Sequence, residues 1–401
     1  VKKDFSFKIE SKLKGALARA GVIETPHGAI KTPAFIVVGT KATVKALTPE
    51  QIKSTGAQAV LANAYHLYLQ PGDDTVAKAG GLGKYMNWPG PTFTDSGGFQ
   101  VLSLGVGFKK VITMNAEADE KTSTAKNGER LAKVDDEGVN FKSHIDGSMH
   151  RFTPEKSMQI QHNIGADIIF AFDECTSIAQ PYSYQKMSLS RTNEWADRCI
   201  IEHRRLTKDS PTKPYQALFG VVQGANYENL RKDASEYMAK LDFDGYGIGG
   251  ALEKERLGEI VKWVNDILPE SKPKHLLGLS EPDDIFIGIE NGTDTFDCVS
   301  PARIGRNGSL YTDSGRFTVK NAKYALDFSP VVEGCKCYTC VNYTKAYMHH
   351  LFKAKERLSS TLATIHNEYF IVNLVEKIRL SILNGTFFEF KEKWLAKYYD
   401  S

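Results

Sequence analysis

Short runs of Val, Ile, Ala and Phe recur along the chain, separated by longer amphipathic stretches. The runs are Ala34–Val38, Ala59–Ala62, Thr92–Thr94, Val139–Phe141, Ile168–Phe172, Ala217–Val222, Tyr246–Ile248, His275–Leu279 and Thr295–Val299. Most are followed by a helix-like segment, as in Glu155–Ile164, Ser183–Arg204, Asn226–Leu241 and Leu257–Leu268. Alternating strand and helix predicts a parallel sheet covered by helices. Parallel strands buried on both faces read as continuous apolar runs, as these do.

The polar residues choose between a closed and an open sheet. Run after run ends in a small or functional group: Asn63, Asp95-Ser96-Gly97-Gly98, Asp173-Glu174, Gln223-Gly224, Gly249-Gly250, Gly278 and Asp297. In a (β/α)8 barrel the carboxyl ends of all strands converge on one face. An open doubly wound sheet concentrates such groups at a single switch point. No G-x-G-x-x-G follows the first run and no Walker A loop occurs, so no nucleotide cofactor is expected. The expected fold is α/β, a (β/α)8 TIM barrel.

Two segments break the alternation. Residues 106–136 are polar and read as a long surface insertion. Near the C-terminus, Cys335-Lys336-Cys337-Tyr338-Thr339-Cys340 precedes a helical stripe through Tyr347, Leu351, Ala354, Leu358, Leu362, Ile365 and Tyr369. The expected organisation is a barrel over 1–309, a metal-binding subdomain over 310–366 and a helical segment over 367–401 that packs back on the barrel.

Composition narrows the class. The chain has 401 residues, 41% hydrophobic and 25% charged, which excludes a disordered polyelectrolyte. Net charge is +3, but residues 301–401 carry a balance of +6 and the first 300 a balance of −3. A basic C-terminal quarter suits a polyanion partner, or simply a Lys-rich helix surface. Val1-Lys2-Lys3-Asp4 opens no apolar leader pattern, and no apolar run approaches the ~18 residues of a membrane helix, so the expected compartment is the cytoplasm.

Three of the six cysteines fall in the C-x-C-x2-C cluster, a spacing that reads as metal ligation. Cys335, Cys337 and Cys340 supply three thiolates, and His349, His350 or His366 could supply the fourth donor. A Cys3His set is a closed tetrahedral zinc site of structural type. Asp95, Asp173 and Asp297 each end a run, where each could cap a following helix. Three carboxylates on one barrel rim also shift one another's pKa, a feature of functional sites. Paired carboxylates flanking an anomeric carbon are what glycosyl transfer needs. Ser96, Gln223 and Gly250 could hydrogen-bond a flat polar ligand, Phe99 could stack on it, and Arg303 and Arg306 would suit phosphate contacts.

These residues together resemble the tRNA-guanine transglycosylases of the bacterial type, from Thr32-Pro33-Ala34-Phe35 to the last helix. The resemblance is carried by Asn63-Ala64-Tyr65-His66-Leu67, Thr94-Asp95-Ser96-Gly97-Gly98-Phe99-Gln100, Ala171-Phe172-Asp173-Glu174-Cys175-Thr176, Gln223-Gly224, Phe296-Asp297-Cys298-Val299 with Arg303 and Arg306, and the Cys cluster with Ile365-His366-Asn367. It implies a barrel with a zinc subdomain and exchange of the tRNA wobble guanine for a 7-deazaguanine base. By this resemblance Asp297 is the nucleophile on the ribose and Asp95 the general acid/base. Asp173, Gln223, Ser96 and Gly250 recognise the base, Phe99 and Leu277 sandwich it, His366 completes the zinc set, and Arg303 with Arg306 hold the anticodon loop. The family implies a homodimer.

Three departures stand out. Phe99 replaces a usual Tyr. Ala251-Leu252-Glu253-Lys254 alters the loop lining the pocket for the 7-substituent, although Glu255 matches the acid that senses the bound base. Residues 106–136 exceed the corresponding family loop, which suggests a lid or an extra tRNA contact. Cys175 follows the bacterial pattern, so the expected base is 7-aminomethyl-7-deazaguanine (the prequeuosine base), with queuine as the alternative. A barrel glycoside hydrolase and a non-catalytic tRNA-binding partner subunit are the competing readings.

Overall fold

The computed structural model describes residues 3–101, 132–250 and 252–399. Residues 106–131 of the expected insertion, and Ala251, lie outside the described residues. Eight parallel strands close a barrel in chain order: β1 (Ala34–Val38), β2 (Val60–Asn63), β3 (Thr92–Asp95), β4 (Ile168–Phe170), β5 (Ala217–Val222), β6 (Gly245–Ile248), β7 (Lys274–Leu276) and β8 (Thr295–Cys298). The ring closes where β8 pairs with β1, Thr295 opposite Ala34 and Cys298 opposite Val37. Alternation within the strands separates two cores. Ile36, Leu61, Phe93, Phe170 and Phe219 fill the barrel interior, whereas Phe35, Val37, Val60 and Ile169 face the surrounding helices.

Eight of the nine apolar runs are the barrel strands. The ninth, Val139–Phe141, lies in a three-stranded antiparallel sheet of Ala132–Asp135, Gly138–Lys142 and Met149–Phe152, inserted between β3 and β4. This sheet is fastened to the helix Tyr182–Asp209 by Arg191 and the Trp195 indole, which donate to Asp136. A second antiparallel sheet, Ser6–Lys12, Arg19–Thr25 and Gly28–Thr32, inserts Ile23 and Ile30 into the interior core. Arg19 makes a paired hydrogen bond to Asp294, which immediately precedes β8, so this sheet covers the amino-terminal end of the barrel.

After the barrel come a hairpin (Ser309–Thr312, Gly315–Thr318) and four helices, Tyr338–Asn342, Lys345–Lys353, Leu358–Leu383 and Phe387–Tyr399. The helical stripe expected from Tyr347 to Tyr369 is therefore two helices. The first ends in a Schellman-type turn, with Glu356 N–H donating to the Leu351 carbonyl and Lys355 at φ 58°. Alanine-to-leucine spacing of four across positions 354 and 358 hides that break, because a left-handed Lys carries no sequence signature. The 26-residue helix Leu358–Leu383 joins two cores. Leu362 and Ala363 belong to the core of the Cys segment, while Ile365, Ile371 and Leu374 belong to the core around the barrel. His366, where the metal segment is expected to end, sits inside this helix.

Candidate active site

The carboxyl ends of the strands bring Asp95, Asp173, Gln223 and Asp297 to one rim. Asp95 ends β3 beside the end of β2, and the register sets it opposite Asn63. Asn63 does two jobs there. Its carbonyl oxygen accepts from His66 N–H at 2.9 Å and caps the helix Ala64–Leu69. Its amide N–H2 donates to Asp95 Oδ2, while the Ala64 N–H donates to Oδ1 at 3.0 Å. Burial, with a smaller contribution from the nearby Asp297 charge, pushes the Asp95 carboxyl up to about 7. The hydrogen bonds only partly offset this. Asp95 can thus hold or release a proton near neutral pH.

Asp297 lies on β8 with its side chain 13% exposed and, like Asp95, is half-buried at the rim. Its Oδ1 accepts from His275 Nε2 at 3.0 Å and from the Gly278 N–H at 3.2 Å. Reading the sequence for strands treats His275 as one position in an apolar run and misses this contact. The signal was available in the pairing of β7 and β8, which sets His275 beside Thr295, two residues before Asp297 and on the same face.

Ser96, Asp173 and Gln223 form a buried polar set. The Ser96 hydroxyl donates to Asp173 Oδ1 at 3.1 Å, and the Gln223 amide donates to Asp173 Oδ2 at 2.6 Å. Burial pushes Asp173 up to about 6 against the pull of these bonds. Glycines make the closeness possible. A Cβ on Gly98 would lie 2.6 Å from the Asp173 carbonyl oxygen, and one on Gly250 would lie 2.7 Å from Gln223 Oε1. Gly250 also has φ +99°, a conformation that favours glycine. Glu174 belongs elsewhere: its carboxylate takes Arg191 and the Tyr184 hydroxyl.

The remaining residues divide. Leu277 stands half-buried at the rim, its Cδ1 3.5 Å from the Cβ position of Gly247. Phe99 is half-buried in the helical turn after Gly98. Glu255 is exposed on the short turn Lys254–Arg256, with Asp284 among its electrostatic neighbours, and is not joined to the Ser96–Asp173–Gln223 set. Arg303 is exposed and Arg306 half-buried on the helix Ser300–Arg306 that follows Asp297.

The thiols of Cys335, Cys337 and Cys340 and a ring nitrogen of His366 all lie within 4.8 Å of one another. His366 Nδ1 faces Cys340 Sγ at 3.3 Å and Cys337 Sγ at 3.5 Å. Its Nε2 lies 2.7 Å from the Tyr311 carbonyl oxygen, which can only accept. Nε2 therefore carries the proton and Nδ1 presents a lone pair to the thiols, the orientation of a metal-ligating imidazole. The set fits one tetrahedral ion. His349, a candidate from spacing, instead has Nδ1 2.9 Å from the Val319 carbonyl. The next residue, Asn367, donates to the Pro301 and Ser309 carbonyls and accepts from Tyr311 N–H. The metal set is thereby tied to the helix that follows Asp297.

A closed (β/α)8 barrel with its polar residues gathered at the carboxyl rim is the architecture of a barrel enzyme, here with a Cys3His cluster beside it. The family model described as queuine tRNA-ribosyltransferase matches residues 14–400. Proteins named queuine tRNA-ribosyltransferase from Caldanaerobacter subterraneus subsp. tengcongensis and from Thermoanaerobacter sp. (strain X514) are each 47% identical, over 95% of this chain and 94% of their own length. One from Streptococcus uberis is 44% identical over 98% of this chain and 96% of its own. The chain belongs to the tRNA-guanine transglycosylase (queuine tRNA-ribosyltransferase) family and is a pentosyltransferase. Among the described residues no helix is long and apolar enough to cross a membrane.

Proposed function

We propose that this transglycosylase exchanges the wobble guanine of tRNA for 7-aminomethyl-7-deazaguanine through a covalent bond between Asp297 and the ribose. The observation that carries the reading is the pairing of two unlike acids on one rim. Asp297 is held by the His275 and Gly278 N–H donors, while loss of hydration raises the Asp95 carboxyl to about 7. In the first displacement a carboxylate oxygen of Asp297 bonds to C1′ as the C1′–N9 electron pair leaves with guanine. Asp95 gives its proton to the departing ring. The incoming base then returns a ring proton to Asp95 and attacks C1′, freeing Asp297. Two displacements retain the ribose configuration and need no ATP, since one glycosidic bond replaces another.

Ser96, Asp173, Gln223 and the Gly250 backbone recognise the base edge, with Phe99 and Leu277 on its faces and Glu255 sensing the bound base. Arg303 and Arg306 hold the anticodon loop. Zinc is the ion the Cys3His donor set favours, one per chain, in a purely structural role. The division proposed is a barrel, a zinc subdomain and a closing helical segment, working as a cytoplasmic homodimer.

The test is incorporation of labelled guanine into tRNA bearing a wobble guanine, with Asp297→Asn beside the parent. Incorporation by the parent and a loss of at least about 10³-fold in the variant are expected. No incorporation by the parent overturns the reading. Competition between the prequeuosine base and queuine decides the incoming base: the former should displace guanine at the lower concentration.

A further inference from the structure

We infer that His275 is a positioning residue for the nucleophile, which fixes the Asp297 carboxylate and leaves Oδ2 as the attacking oxygen. The inference rests on the proposed role of Asp297 and adds the device that aims it.

The geometry begins with register. Strands β7 and β8 set His275 beside Thr295 and Leu276 beside Phe296. Side chains alternate along a strand, so Thr295 and Asp297 share the inward face with His275. His275 and Thr295 are fully buried. His275 Nδ1 lies 2.9 Å from Thr295 Oγ1, and Nε2 lies 3.0 Å from Asp297 Oδ1. The rings of Phe93 and Phe170, with centroids at 5.7 and 5.2 Å, close the imidazole in.

The proton positions follow from what each partner can do. An ionised carboxylate only accepts, so Nε2 must bear hydrogen to bond Oδ1. A neutral imidazole then has its lone pair on Nδ1, which the Thr295 hydroxyl fills by donating. Asp297 thus selects the tautomer, and the Thr295 hydroxyl fills the other ring nitrogen and fixes the plane of the imidazole.

The consequence for Asp297 is asymmetry. Oδ1 takes two donors, His275 Nε2–H and the Gly278 N–H. Among the described residues Oδ2 takes none. Hydrogen bonds withdraw electron density from the oxygen that accepts them, so Oδ2 is the stronger nucleophile. Two donors on Oδ1 also prevent the carboxylate from rotating, a restriction that aligns the attack before substrate arrives. When Oδ2 bonds to C1′, Oδ1 becomes the ester carbonyl and keeps both donors. They are already aimed where negative charge returns when the ester breaks.

The test compares the parent, His275→Phe, His275→Gln, Thr295→Val and the Phe/Val double variant. Each is measured for steady-state guanine exchange and for the single-turnover rate of tRNA–protein adduct formation. His275→Phe should lower kcat and the adduct rate about 10–100-fold with the KM for tRNA within about twofold, the split expected when orientation is lost and binding is not. His275→Gln keeps an N–H of similar reach and should recover to within about fivefold of the parent. Thr295→Val, close in shape to the parent residue, should lower the adduct rate about 3–10-fold alone and add nothing to His275→Phe. This variant carries the test if His275→Phe does not fold. Unmoved kcat and adduct rates in Thr295→Val and in every folded His275 variant, or additive losses in the double variant, overturn the inference. A parent without exchange instead overturns the proposed function on which it rests.

Discussion

Asp95 is held by two opposing influences whose balance can be read as pH dependence. Its pKa of about 7 is above the ordinary 3.8, so the folded protein binds this proton more tightly than the unfolded chain does. For a raised acid the slope of stability with pH is negative between the two values. The contribution of Asp95 to stability is greatest below about pH 4, falls as pH rises toward 7, and then levels off. Asp95→Asn removes that loss. The melting temperature of the variant relative to the parent should therefore rise from pH 5 to pH 8, by the equivalent of about 2–3 kcal/mol, and stay flat above pH 8. Asp173, raised to about 6, titrates in both proteins and drops out of the difference. In exchange kinetics, a limb near pH 7 in the parent's kcat/KM profile should vanish in Asp95→Asn.

At the scale of elements, the rim depends on close approach of backbone to buried polar groups. A methyl at Gly250 would meet Gln223 Oε1 at 2.7 Å with the backbone at φ +99°. Gly250→Ala should weaken exchange at least about tenfold and cost about 1–3 kcal/mol in urea unfolding. A Gly28→Ala change, whose Cβ would stand 3.6 Å from Pro91 in a remote sheet, should leave exchange intact although its φ of +132° costs some stability.

The helix Leu358–Leu383 makes a second element-scale prediction. It carries His366 toward the thiols and Asn367 toward the helix after Asp297. His366→Ala should abolish the one zinc per chain found by elemental analysis. It should also lower stability by about 3 kcal/mol or more, since the metal's binding energy is part of folding. A variant that retains stoichiometric zinc would mean that a different fourth donor serves.

At this scale, too, the limits of reading the chain become physical. Barrel strands were legible because both their faces are buried and apolar. Val139–Phe141 has the same composition, yet pairs antiparallel with Ala132–Asp135 and Met149–Phe152. Composition reports burial and does not report partners. Ser6–Lys12 went unread because its alternation is half polar and half exposed. Cys335, Cys337 and Cys340 were legible from spacing, which left three histidines open, and the family resemblance singled out His366, the one whose ring lies among the thiols. His275 was hidden because its meaning lies in a neighbour on another strand.

At the scale of the whole molecule, charge is unevenly distributed. The +6 balance of residues 301–401 sits with Arg303, Arg306 and the Cys3His segment. Arg306 has Arg303 and the fully buried Glu368 as electrostatic neighbours. Replacing Arg303 and Arg306 together by Ala should weaken tRNA binding about tenfold at low salt. It should also reduce the slope of log affinity against log salt by about 1–2. A binding curve whose salt dependence is unchanged would place the phosphate contacts on other residues.

The barrel's closure gives the chain a timetable. The last barrel strand to be made, β8, pairs with the first barrel strand, β1, and it is β8 that bears Asp297. A ribosome delivers Asp95, Asp173 and Gln223 well before the residue that would attack the ribose. Until β8 emerges, β1 and β7 each present an edge, and the rim lacks the proposed nucleophile. Synthesis that stops early therefore cannot release a partly competent enzyme able to form adducts with tRNA. Reactivity arrives together with the seam that completes the ring.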